Sequence, residues 1–408
     1  MTIAVVGGGI IGRSVALSLA RQGAPVVIVD PMRDLSAASW GNAGHLATEQ
    51  VAPLASLAML RSVPRRLFAL GGALDLPPAQ ASAWLPFAGR LLAASTPGRF
   101  AAGSAALGRL LGGAMPAWRR LVAAISAPDL LREEGHFVAW PDAPRAAAGR
   151  AAWHAADTGT VRIDDASAAE MAQLHALSPS VAAAIRFTGS GQVGDLNGLA
   201  AALEEALATA GVTIVRRQAT LVRNGDRVEV PGVAADRIVV AAGIGSRTLM
   251  AAAGHPVPLI AERGYHIRGA ADRWPADLPP VVFEDRSIIV TRYADAVQVA
   301  GFVELGRADA PPDPRKWQRL ERHVAELALP IAGPFTRWMG ARPTLPDYLP
   351  AIGRSTRAAN LFYAFGHQHL GLTLAPVTGE MVADMIAGRT PTIDPAPFAI
   401  DRFRRIFA

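Results

Sequence analysis

The hydrophobic pattern begins almost at the first residue. Ile3 to Val6 form an unbroken apolar run, the pattern of a short strand buried on both faces of a parallel sheet. Apolar residues then recur at helical spacing (Ile10, Ile11, Ala16, Leu17, Leu19, Ala20), and the repeat stops at Gly23, a helix-ending residue. A second apolar run, Val26 to Val29, ends at Asp30. Strand, helix and strand predict a βαβ unit whose first turn carries Gly7, Gly9 and Gly12 as G-x-G-x-x-G. The first glycine suits a tight turn, the second a close approach of backbone to a pyrophosphate, and the third the packing of helix on strand. The positive helix end then meets the phosphates. Asp30 stands where a carboxylate accepts hydrogen bonds from a ribose diol, which argues against a 2′-phosphate. The fingerprint alone serves NAD and FAD alike.

Further along, residues 36–47 (SAASWGNAGHLA) form a loop of small residues expected at the carboxyl edge of that sheet. From Val51 to about Leu131 the pattern is helical and studded with arginine, and prolines at 64, 77, 78, 86, 97, 116 and 128 cut it into short helices. Those helices either pack over a sheet or present an amphipathic face to a membrane. GHFVAW (135–140) starts a strand-like stretch, 200–211 reads as a helix, and 235–246 as a buried strand leaving through Gly243 and Gly245. Residues 264–303 alternate polar and apolar, the pattern of an antiparallel sheet. From 338 onward the chain is again apolar and glycine-punctuated. The expected class is α/β, with two interwoven domains. A Rossmann-type nucleotide domain takes 1–55, 183–255 and 338–408. A substrate domain with an antiparallel sheet and a helical insertion takes 56–182 and 256–337.

Composition narrows the chemistry. The chain has 408 residues, a formal charge of +6 and one lysine, Lys316. Its arginines are scattered and form no aromatic-studded basic stripe, so no nucleic-acid partner is expected. The absence of cysteine excludes disulfides, thiolate metal sites and a cysteine-linked cofactor. There is no secretory signal pattern and no apolar run near the ~20 residues of a membrane span. The expected location is cytoplasmic, free or held peripherally on the inner face of the cytoplasmic membrane.

Several later motifs stand in a telling order: GGGIIG with Asp30, SWGNAGH, GQVGDLNGLAAAL, ADRIVVAAGIGS, ERGYH, WMGARPTLPDYLPAIG and FGHQHLGLTLAPVTGEMVADMI. With these motifs the chain resembles the FAD-dependent D-amino-acid oxidase and dehydrogenase (DAO) family over essentially its full length. NAGHLATEQV and GHQHLGLTLAP are similar to the D-hydroxyproline dehydrogenase-like branch. The resemblance implies a non-covalent FAD. It implies cofactor contacts at Gly7, Gly9, Ile10, Ile11, Gly12 and Asp30, at Ser39, Asn42, Ala43 and Gly44, at Ala242 and Gly243, and at Gly366, His367, Gly371, Leu372 and Thr373. Helical periodicity from Thr373 to Gly388 agrees with the last group. A helix N-terminus aimed at the flavin pyrimidine edge stabilises the anionic reduced ring.

For the substrate, Arg342 lies between Gly340 and Pro343 on a stiff backbone. The resemblance implies that its planar fork grips the substrate carboxylate. Tyr265 is expected to bind that carboxylate or cover the site, and His45 to touch substrate. Glu49, Arg263, His266 and His369 are weaker candidates, and His266 should face away from Tyr265. No histidine pair has acids at metal-ligand spacing, so no metal is expected. The implied reaction is oxidation of a D-amino acid (D-proline and cis-4-hydroxy-D-proline among the candidates) to an imine, by hydride transfer from the α-carbon to flavin N5. Electrons pass on to a quinone, a dye or oxygen. Glycine or sarcosine is the alternative substrate, and an NAD-dependent dehydrogenase the more distant alternative.

Overall fold

Ile3–Val6 sits inside a six-stranded sheet with the order 213–215, 26–29, 3–6, 237–240, 361–365, 351–354. In this computed structural model, which describes residues 1–403, all neighbours in that sheet are parallel except the last pair. Successive side chains of a strand point to opposite faces. Ile3 and Val5 therefore join one core with Leu17 and Leu19 of the helix Ile10–Ala20, while Ala4 and Val6 join another with Leu249 and Met250. Burial on both faces explains why these strands read as unbroken apolar runs.

Two helices open on the carboxyl edge of this sheet: Ile10–Ala20, and Gly371–Ile386 near the end of the chain. They pack directly on each other at Gly379, where a Cβ would stand 2.7 Å from the Ser14 carbonyl oxygen. The second helix starts two residues before the periodicity suggested.

The other large sheet runs 332–344, 260–270, 296–306, 288–292, 281–283, 136–140, 183–188, 162–165, with Leu74–Asp75 added to 296–306. Most of its pairs are antiparallel, in keeping with the alternation over 264–303. Two expected domain limits shift. Ala183–Thr188, assigned from sequence to the nucleotide side, pairs antiparallel with His136–Trp140 in this second sheet. Ala332–Thr344 runs through the limit set at 338 as one strand. Ala332–Thr344 carries no break at 338, because its pairing with strand 260–270 continues across that position.

The stretch after Val51 divides in two. Pro97–Gly112 and Ala114–Ala124 bury Leu107, Leu110, Leu111 and Trp118 in the core shared with helix 371–386. Leu57–Arg66, N-capped by Ser56, buries no residue. Ala81–Ala94 buries only Phe87, Leu91 and Ala94. Lys316, the one lysine, is fully buried beneath strand 260–270, with its Nζ 2.6 Å from Asp75, 2.8 Å from Glu304 and 2.9 Å from Asp313. It ties strand 74–75 and helix Pro314–Glu326 to the sheet.

Candidate active site

The nucleotide turn is shaped by the chain at two of its glycines and left open at the third. Gly7 has φ +113°, and a Cβ there would meet the Ala241 carbonyl oxygen at 2.4 Å. A Cβ on Gly12 would fall 1.9 Å from the Gly7 carbonyl oxygen. At Gly9 the nearest protein atom to such a Cβ is the Ser39 hydroxyl at 3.2 Å, so the fold itself makes little demand for glycine. Room for a ligand against bare backbone is the remaining reason for glycine there. Helix 10–20 also lacks a side-chain cap on the Gly9 position, although Ser39 Oγ accepts the Ile10 N–H at 3.1 Å. Asp30 already accepts from the Gly8 N–H at 2.6 Å and the Met32 N–H at 2.8 Å, so it braces the turn.

Loop 39–44 is pinned from both sides. The Asn42 carbonyl accepts from Tyr293 at 2.7 Å and Gln298 at 3.0 Å, and its side chain accepts the Gly44 N–H at 2.9 Å. Gly44 has φ +75°, and a Cβ there would press on the Tyr293 hydroxyl at 2.8 Å. The Ala47 N–H donates to Thr373 Oγ1 at 3.1 Å, which joins this loop to the start of helix 371–386. That helix also starts without a side-chain cap. Trp118 donates to the carbonyls of Leu372 and Thr373, and Gly366 enters the turn at φ +79°. The buried His367 pairs its Nε2 with Thr378 Oγ1 at 3.1 Å. Ala242 and Gly243 close the opposite side after strand 237–240, with the Ala242 N–H bonded to Ser246. Two uncapped helix N-termini flanking one loop, with glycine where protein alone does not require it, fit a dinucleotide carrying a flavin.

Above this cradle, strands 260–270 and 332–344 present three cross-strand rungs on one face: Glu262 opposite Arg342, Gly264 opposite Gly340, and His266 opposite Trp338. The two glycines let flat groups lie on the sheet. A Cβ on Gly264 would strike the Arg342 guanidinium at 2.2 Å, and one on Gly340 would strike the Trp338 ring at 1.9 Å. The Trp338 ring stacks on His266 at 4.8 Å and also lies over Gly41. His266 Nδ1 donates to the Gly41 carbonyl at 3.1 Å, joining the sheet to loop 39–44. Glu262 is buried (2% of the side chain exposed) and accepts from Thr344, Tyr348 and Arg342. Arg342 is 27% exposed and meets Glu262 through Nη1 alone, at 3.3 Å.

Tyr265 lies on the other face, which corrects the expectation that it contacts substrate. Its hydroxyl donates to Glu304 at 2.8 Å and accepts the Asp313 N–H at 3.1 Å, and Arg263 pairs with Glu304 there too. Strand alternation is the reason: 262, 264 and 266 share the Arg342 face, and 263 and 265 do not. Glu262, Gly264 and Trp338 were missed as candidate residues; the two-residue period leading back from Arg342 could have found Trp338, but Glu262 and Gly264 come only from the register of the neighbouring strand.

Burial sets the titration of the site histidines. It pushes His266 down to about 3, helped by the Arg268 charge, and His367 down to about 3. It pushes His369 down to about 4, with Glu262 and Arg342 also acting on that ring. His369 contacts Gln50 through Nε2. His45 is turned inward, its ring 4.4 Å from that of His136, and falls to about 4 through burial and the neighbouring His369. Burial raises the Glu49 carboxyl to about 7.

A profile of the family described as DAO, FAD dependent oxidoreductase, matches residues 2–385. The chain belongs to the DAO family. It is an FAD-dependent oxidoreductase acting on amines or amino acids, with FAD rather than NAD as its cofactor. It is similar to a D-amino-acid oxidase of Bradyrhizobium diazoefficiens, 31% identical over 98% of both chains. It is also similar to a D-amino acid dehydrogenase of Cereibacter sphaeroides, 29% identical over 99% of this chain and 95% of that protein. Among solved structures, iminodiacetate oxidase from Chelativorans sp. BNC1 and glycine oxidase from Geobacillus kaustophilus share the DAO fold. Each has a TM-score of 0.72 at 22% identity over 98% of both chains.

Proposed function

We propose that this DAO-family protein oxidises the α-carbon of a D-amino acid, with Arg342 holding the substrate carboxylate. The carrying observation is the Glu262–Arg342 rung beside the paired glycines. Glu262 is fixed by Thr344 and Tyr348, so it holds one edge of the guanidinium. The half-open Arg342 keeps the rest of its planar donor set for a carboxylate arriving from the flavin side. The curated relatives named for D-amino acids support the substrate class, with D-proline and cis-4-hydroxy-D-proline among the candidates.

FAD supplies the hydride acceptor at its N5. The chain's task is to bring the α-hydrogen there, and such positioning contributes several kcal/mol in general. Arg342 fixes the carboxylate end. His266 and Trp338 brace the Gly41 end of the flavin loop against the same strands. Because His266 and His369 are neutral at physiological pH, the carboxylate is drawn to Arg342 rather than to an imidazolium. The amine nitrogen is uncharged when its lone pair forms the imine, and the carbon–hydrogen bonding pair leaves as hydride.

We also place the reoxidation partner, a quinone, at an anionic membrane surface. Residues 51–100, which carry the exposed leucines, contain five arginines and one acid, Asp75, which is committed to Lys316, whereas Arg119 and Arg120 further on pair with Glu133 and Glu380. Leu54, Leu57, Leu70, Leu85 and Leu92 stand exposed on the same insert, while Met59, Leu60, Trp84 and Phe87 pack inward together. Among the described residues no helix is long and apolar enough to cross a membrane. Each arginine near an anionic surface contributes about 1 kcal/mol. Co-sedimentation with vesicles containing phosphatidylglycerol, but not with phosphatidylcholine vesicles, is the expected result, and equal recovery with both rejects this placement.

The substrate assignment is tested by anaerobic bleaching of the bound flavin with D- and L-amino acids, D-proline, cis-4-hydroxy-D-proline, glycine and sarcosine. Rapid bleaching confined to D-amino acids supports it. Bleaching by glycine or sarcosine alone, or by L-amino acids, moves the enzyme to another amine substrate.

A further inference from the structure

Beyond loop 39–44, three largely buried side chains from two distant stretches meet. His45 and Glu49 follow Gly44, and His136 opens strand His136–Trp140, far along the chain and in the other sheet. One potential ligand atom from each lies within 4.8 Å of the others.

The polar atoms in this cluster are unmatched. His45 Nε2 and Glu49 Oε2 face each other at 3.9 Å, too far apart for a hydrogen bond. Neither atom has any hydrogen-bond partner, and their side chains are only 8% and 2% exposed. Buried ring nitrogens and carboxylate oxygens are rarely left so, and an unmodified pair would be expected to close to bonding distance. A separation of 3.9 Å lets one metal ion bridge the pair after a small closure of the two side chains. Two ligands at the usual zinc–nitrogen and zinc–oxygen lengths stand about 3.4 Å apart across a tetrahedral angle.

The third residue is oriented as a metal ligand is. Ser190 Oγ lies 3.3 Å from His136 Nδ1, and Phe187 stacks against the ring at 4.4 Å. A hydrogen bond to one ring nitrogen that fixes the other is the usual outer support of a ligating histidine.

We propose that His45, Glu49 and His136 bind one first-row divalent transition ion, of which zinc is the representative. Two imidazoles and a carboxylate favour this class over calcium or magnesium, whose sites are built from oxygen ligands. The ion joins the flavin loop to the second sheet. The backbone of His45 pairs with Gln192, and that of Ala47 bonds to Thr373, so the loop is then held at three points around the flavin turn. No local motif marks such a site, because His136 shares no sequence spacing with His45 and Glu49.

The test uses the flavin-loaded protein and reads metal rather than turnover. Elemental analysis of protein purified without chelator or affinity metal is expected to give about one zinc-class ion per flavin. His136→Gln is expected to lose it, while His175→Ala, at an exposed helical histidine, keeps it. Chelator treatment should lower the melting temperature of the parent, and zinc should restore it. Cobalt(II) added to the stripped protein should produce visible absorption bands of low coordination number. If His136→Gln does not fold, the parent's cobalt spectrum and zinc-dependent melt decide. Metal-free parent protein with no cobalt bands and no melting shift in excess zinc overturns the site and leaves a largely buried, neutral side-chain cluster. Either result is independent of which substrate bleaches the flavin.

Discussion

Glu262 and Arg342 face each other across neighbouring strands, the acid buried and the base half-open. Their pairing partly neutralises the group proposed to receive the substrate carboxylate. Replacing Glu262 with Gln keeps the shape and removes the charge. At intermediate effective dielectric this should tighten carboxylate binding by about 1 kcal/mol, or roughly fivefold. The looser guanidinium should at the same time slow flavin reduction. Titration with an unreactive carboxylate, followed by the flavin spectrum, checks the first part. Unchanged affinity would show that Glu262 does not act through Arg342.

Tyr265 belongs to the opposite face, so Tyr265→Phe should spare substrate affinity. Losing its bonds to Glu304 and the Asp313 N–H should cost about 1–3 kcal/mol of stability. Denaturant unfolding beside substrate titration separates the two effects. Weakened substrate binding with unchanged stability would return Tyr265 to the site.

At Gly9 a Cβ would press only on the Ser39 hydroxyl, at 3.2 Å, whereas the proposed pyrophosphate leaves it no room. Gly9→Val should therefore fold with a near-parental melt in the flavin-free state but bind no FAD. Asp30→Ala should do both kinds of damage, because Asp30 also braces the Gly8 and Met32 amides. A yellow, fully loaded Gly9→Val protein contradicts this placement of the pyrophosphate.

His266 and His367 are held neutral by burial, each with its pKa pushed down to about 3. The unfolded chain takes up protons on both near pH 6.5, and the folded protein does not until far lower pH. Stability is therefore full above pH 6.5 and falls as pH drops through the window from 6.5 to 3. At pH 5 the loss should be about 2 kcal/mol per histidine. Urea unfolding at pH 7 and pH 5 measures it. His266→Asn, which can still donate to the Gly41 carbonyl, should flatten the dependence. An unchanged slope in that variant would mean that His266 is not the group being protonated.

Much of this was legible before any coordinates. The βαβ unit could be read because strands buried on both faces leave unbroken apolar runs, and Gly7 and Gly12 answer to contacts within a few residues. Arg342 stood out through its rigid Gly–Ala–Arg–Pro setting. What was not legible depended on strand register. Glu262 and Tyr265 lie three residues apart, and only the pairing of Glu262 with Arg342 reveals which of them shares the Arg342 face. The same holds for His136, which reaches His45 and Glu49 only because two sheets meet, and for Ala183–Thr188, whose sequence does not state its partner strand.

Arg342 is proposed to grip the substrate carboxylate. Lysine keeps the charge but cannot offer a planar, two-pronged grip, so Arg342→Lys should retain FAD and fold while the α-hydrogen loses its aim. The loss should be about 3–5 kcal/mol, roughly a hundredfold to several thousandfold in kcat/KM. The deciding measurement is rapid-mixing flavin reduction of the Arg342→Lys enzyme by its best D-amino acid, taken with its thermal melt. A parental melt with reduction slowed and substrate affinity weakened is the predicted result. A near-parental rate and affinity, or a fall in stability with both unchanged, would make Arg342 a structural residue that does not hold the substrate.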